Sequence, residues 1–111
     1  MRAAAALVLT VAVAACSSGL GGAKADFHKG RIAEAKSELV LLEPSSRTWG
    51  REHRAEYALY RGLVHHSLGD RDAARVWLEQ ARGLDDAGPR VLSDEDRVRL
   101  KLALESLPAV P

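Results

Sequence analysis

The 111-residue chain has one cysteine, so no internal disulfide can staple the fold and stability must come from packing. Excess charge is missing too. Arg2 is the only charged residue before Cys16, and setting it aside leaves 15 basic residues against 15 acidic ones. A neutral chain with interspersed signs offers no broad attraction for nucleic acid or an anionic membrane, and no nucleic-acid partner is expected. β-Branched runs are almost absent past residue 15, which argues against a sheet. The Arg-, Leu- and Ala-rich remainder has a helical composition, long enough for one core.

Catalytic and metal-binding patterns are lacking as well. There is no Gly-x-Ser-x-Gly or Ser-x-x-Lys context for a serine nucleophile. His65 and His66 are adjacent, so on a helix they point about 100° apart and do not chelate one metal as an i, i+4 pair would. The stretch GLGGAK has neither a preceding strand nor the Lys-Ser/Thr ending of a phosphate loop. The carboxylates sit among arginines at helical spacing, as on solvated helix faces. The expectation is a protein that is not an enzyme, with no metal, no cofactor and no small-molecule substrate.

What is present begins at the N-terminus. MRAAAALVLTVAVAAC has one early positive charge and then an apolar run over residues 3–15. Those thirteen residues are too few for a bilayer span, which needs roughly 20, but suit the h-region of an export signal. Val13-Ala14-Ala15-Cys16 resembles a bacterial lipobox. The resemblance implies a signal peptide over residues 1–15 and a diacylglyceryl thioether on Cys16, which becomes the first mature residue. Residues 16–22, CSSGLGG, then read as a flexible tether to a helical domain over residues 23–107. Ser17, rather than aspartate, follows the cysteine. By the same resemblance the protein is lipid-anchored in the cell envelope, at the outer membrane facing the periplasm if the organism is Gram-negative.

Two later segments, KGRIAEAKSELVLLEP and LGDRDAARVWLEQARGLD, align at an offset of 39 residues. Gly30 matches Gly69, Ala35 matches Ala74, Leu39 matches Leu78, and Leu42 falls where Ala81 does. In the second, Ala74, Trp77, Leu78 and Ala81 follow the i, i+3, i+4, i+7 spacing of an amphipathic helix. Self-similarity of this period marks a helical repeat. AEYALYRGLVHHSLGDRDAARVWLEQARGLDD resembles a tetratricopeptide repeat through Gly62, the Leu68-Gly69-Asp70 turn, and Ala74, Leu78 and Ala81.

The spacing predicts helices over about 23–28, 32–43, 49–68, 71–84 and 94–106. Pro44 ends the second, and Ser46 or Thr48 is available to cap the third. Residues 85–89 have strong turn chemistry. Ser93 opens the last helix in capping-box spacing with Asp96, and Leu100, Ala103, Leu104 and Leu107 form its stripe. The fold expected is all-α: antiparallel helical hairpins, a tetratricopeptide-like solenoid fragment whose last helix caps the 71–84 helix.

In the family this resembles, the first helix of each pair lines a concave groove. That implies a partner-binding face of Glu56, Leu59, Leu63 and His66, with Tyr60 near; alternatively the two leucines are core. Tyr57 and Trp77 are expected in the core. The function implied is a scaffold or adaptor holding a protein or peptide partner at the envelope. The other reading is a structural or regulatory subunit docked permanently in an assembly such as a pilus, a secretion apparatus or the outer-membrane biogenesis machinery.

Overall fold

A computed structural model describes residues 19–108. The expected signal peptide, Cys16, Ser17 and Ser18 lie outside the described residues. The described residues form five helices: α1 (Gly19–His28), α2 (Ile32–Ser46), α3 (Arg51–Ser67), α4 (Arg71–Asp86) and α5 (Asp94–Ser106). Their packing is all helix on helix, and the most extensive pairing is α3 against α4.

The 39-residue offset is reproduced bond by bond. Gly30 and Gly69 have φ of 81° and 83°, the left-handed conformation that glycine adopts without a side-chain penalty. At the first turn the Arg31 amide donates to Asp26 O (2.8 Å) and the Gly30 amide to Phe27 O (3.0 Å). At the second the Asp70 amide donates to His65 O (2.9 Å) and the Gly69 amide to His66 O (3.1 Å). Both are Schellman turns, which satisfy carbonyls that a helix end would otherwise leave open. Ala35, Ala74, Leu39 and Leu78 are all fully buried. Leu42 is half-buried where Ala81 is buried, so the correspondence weakens toward the helix end.

The offset also pairs Ala23 with Gly62, both buried small residues at helix contacts. A Cβ on Gly62 would stand 2.6 Å from the side chain of Leu78 and 3.1 Å from its backbone nitrogen. Hydrogen is the only substituent that fits there.

Several boundaries differ from the sequence expectation, among them the end of α4, which runs to Asp86 rather than 84 and takes in the first two residues of the expected turn. Helix α1 already includes Gly19, the first described residue, rather than beginning near Ala23, so residues 19–22 of the expected tether are helical. Leu20 packs against the core, and that tertiary contact outweighs the helix cost of the neighbouring glycines. Pro44 lies inside α2, which runs on to Ser46. In the last turn a proline removes one amide donor without breaking a long ladder. Ser46 Oγ donates to Glu43 O (2.7 Å) and Thr48 Oγ1 to Ser45 O (2.9 Å), closing the end of α2. Neither therefore caps α3, whose N-cap is Gly50.

Helix α5 does begin at the Ser93 cap, whose Oγ accepts from the Asp96 amide at 3.1 Å. It covers α3 as well as α4, burying Leu100, Ala103 and Leu107. The loop before it is organised by Asp85, whose Oδ1 accepts from the amides of Val91 (2.8 Å) and Leu92 (3.0 Å).

Candidate partner-binding face

Helix α3 is the centre of the molecule, and its burial decides the fate of the expected groove. Leu59 is fully buried, and Tyr60 and Leu63 are nearly so, at 1% and 7% exposed. The two leucines are core, and no partner reaches them in this packing. Helices α1 and α5 both lie against the first helix of the second hairpin, and together they close the strip that a longer array would leave open.

Polar residues seal that closure. Lys24 of α1 forms an ion pair with Glu56. Tyr60 donates its hydroxyl proton to Asp96 Oδ1 of α5 at 2.9 Å, so His28 Nε2, 3.0 Å from the Tyr60 hydroxyl oxygen, must donate to that hydroxyl. Arg99 donates to Asp96 Oδ1 at 2.9 Å. Further along, His66 Nε2 lies 2.6 Å from Ser106 Oγ. Three helices thus meet at one tyrosine. Burial, reinforced by the Asp96 carboxylate, pushes the Tyr60 phenol far above its ordinary value.

Replacing Tyr60 with Phe is expected to cost about 1–3 kcal/mol, because Asp96 and His28 lose a buried partner. The raised value also predicts a pH effect. The neutral phenol's contribution is complete below the unfolded value of about 10 and is lost as pH rises above it. Denaturant unfolding at pH 7 and above pH 10 should therefore show a smaller alkaline loss in Tyr60→Phe than in the wild type.

What stays open on this face is a cleft of about 210 Å³ lined by Glu52, Glu56, Val91, Leu92, Ser93 and Asp96. Its floor is partly apolar. Glu56 and the buried Asp96 are already paired, with Lys24 and with Tyr60 and Arg99, so the exposed Glu52 is the carboxylate best placed to meet a basic side chain carried by a partner. Glu56 is the one expected groove residue that reaches it.

A second cleft, of about 300 Å³, opens on the other side of α3 between Glu43, Arg47, Arg54, Tyr57, Trp77 and Gln80. Under it, Arg61 is 9% exposed and donates to Glu43 Oε1 (2.7 Å) and to the Tyr57 hydroxyl (2.9 Å). Its guanidinium lies 4.8 Å from the Trp77 ring centroid, a cation–π contact. The Arg61 hydrogen bond holds the Glu43 carboxyl below its usual value. Tyr57, donating to Leu39 O at 2.5 Å, completes a network that ties α2, α3 and α4 together. Arg61 was legible only as a charged residue on a helix; the small residues around it, Ala58 and Gly62, are the one hint that its side of α3 is covered.

The two adjacent histidines go separate ways. His66 meets α5, while His65 is 6% exposed beside Arg61, with Nδ1 3.6 Å from Asp70 Oδ2. Burial first, and then the Arg61 charge, lower the His65 value. Among the described residues no three His, Cys, Asp or Glu side chains converge as metal ligands, and no helix is long and apolar enough to cross a membrane.

Comparison with known proteins adds no assignment: no family model matches the chain, and no curated protein or solved structure matches it.

Proposed function

We propose that the chain is a lipid-anchored helical adaptor of the bacterial cell envelope, tethered at Cys16 and built as a short tetratricopeptide-like array. The observation that supports the repeat half of this reading is the pair of matching Schellman turns at Gly30 and Gly69, 39 residues apart. Arrays of such units serve as binding surfaces, and the lipobox-like VAAC supplies the anchor. The partner is a protein or peptide that places a basic side chain against Glu52 in the cleft it shares with Glu56 and Asp96.

Cys16→Ser is expected to release the protein from the membrane fraction, and wild-type mature protein should begin at a lipidated Cys16 by mass spectrometry. An intact Met1 terminus in a soluble fraction would refute the anchor. Glu52→Lys is expected to abolish the chain's crosslinks in native membranes while leaving its helicity unchanged; persistence of those crosslinks would refute the cleft.

A second reading, permanent docking in a larger assembly, is favoured by Val98 and Leu102, which are 55% and 60% exposed one helical turn apart on α5. Under that reading the isolated domain gains stability with concentration.

A further inference from the structure

Because Gly19 is already helical, at most three peptide units separate Cys16 from the folded domain. Whatever their conformation, they span at most about 11 Å. With the anchor of the proposed function in place, the first turn of α1 is therefore held beside the lipid headgroups rather than swinging on a seven-residue leash.

The topology fixes which surface arrives there. Alternating helices bring the start of α1, the end of α2 and the start of α3 to one end of the bundle. At that end Leu20, Trp49, Gly50 and His53 line an open cleft of about 320 Å³. Trp49 is only half-buried, its ring edge-on to Tyr57 with centroids 5.9 Å apart. Tryptophan combines a broad apolar ring with one polar N–H, the combination that favours the boundary between acyl chains and water.

We infer that this end, with Leu20, Trp49 and His53, rests on the bilayer surface and sets the orientation of the domain. The inference depends on the lipid anchor at Cys16. Leu68, at the other end of α3, is 49% exposed and 15 residues from His53. At helical rise that is about 22 Å farther from the membrane. The headgroup layer on each side is only about 5–8 Å thick, so the two positions should be distinguished sharply. The candidate partner cleft opens between the starts of α3 and α5, so a bound partner approaches alongside the membrane.

The test uses the full chain, processed in cells and reconstituted in phosphatidylethanolamine–phosphatidylglycerol vesicles, with either His53→Cys or Leu68→Cys. Both residues are exposed, and the thioether at Cys16 leaves the introduced thiol as the one site for a polarity-sensitive fluorophore. The label at 53 should shift to the blue and lose most of its emission to brominated lipids, while the label at 68 keeps the spectrum it has in water. Trp49 emission should be quenched by the same lipids, and Trp49→Phe should remove that quenching. Intact mass reads the lipid independently. A chain without lipid overturns the anchor and the orientation with it. Equal quenching at 53 and 68 in a lipidated chain overturns the orientation alone. A blue shift at 53 without bromine quenching also overturns it, because a protein rather than the bilayer then covers the cleft.

Discussion

Gly62→Ala is expected to destabilise the domain by about 1–3 kcal/mol, and Gly62→Val by the top of that range or more. Alanine is the better helix former by about 1 kcal/mol, so intrinsic propensity predicts the opposite sign. Packing decides. The new Cβ meets Leu78 at 2.6 Å on the side chain and 3.1 Å on the backbone nitrogen, so rotating one leucine does not relieve it and α4 must move as a body. Gly83 supplies the control. It lies in α4 with nothing within 4 Å of a built Cβ, and Gly83→Ala should stabilise by about 0.5–1 kcal/mol. Thermal unfolding separates the two, since 1 kcal/mol moves the midpoint of a domain this size by about 4–8 °C. Equal stabilisation by both alanines would mean that α3 and α4 do not pack this closely.

Asp85→Ala should cost about 3 kcal/mol or more. The carboxylate is 2% exposed and holds the amides of Val91 and Leu92 through one oxygen, with Arg97 Nε 3.2 Å from the other. Alanine strands two amides at about 1–3 kcal/mol each if they find no water, and removes the partner of Arg97. Arg97 keeps part of its side chain in solvent and also bonds Leu92 O and Asp94, which holds the loss below the fully buried extreme. Asp85→Asn keeps an acceptor for the amides and should fall between alanine and wild type.

Burial works to raise the Asp85 value, but the two amides and Arg97 outweigh it and leave it below normal. A carboxyl depressed in the folded state contributes stability above its unfolded value of about 3.9, and that contribution is lost as pH falls through the lower folded value. The wild type should therefore weaken below pH 4 more steeply than Asp85→Asn. Parallel acid limbs for the two would show that the loop anchor carries no such linkage.

The features legible in the sequence were those settled within a few residues. Gly30 and Gly69 announced their turns because positive φ selects glycine, and Ser93 announced α5 because its hydroxyl needs only an amide three residues away. The features that escaped depend on what lies across the molecule. Leu59 and Leu63 have the same spacing whether a partner or the protein's own helices cover them; the coverage by α1 and α5 is information carried by remote residues. Pro44 and the glycines of α1 are helix breakers overruled by tertiary contact. Asp85 looked like turn composition, yet it is a buried anchor, because only the returning loop reveals which amides it holds. The proposed anchor at Cys16 rests on the lipobox-like residues Val13-Ala14-Ala15-Cys16 alone.

The glycine turns also bear on how the chain reaches its fold. Each hairpin closes over a three-residue connection, so its contacts form between residues close in sequence, with little loop entropy to overcome. The α3–α4 hairpin has the most extensive packing, so it is the expected nucleus, with α1, α2 and α5 expected to dock on it afterwards. A substitution at Gly62 should then slow refolding itself, whereas Tyr60→Phe, which loosens only the late-docking helices, should chiefly speed unfolding.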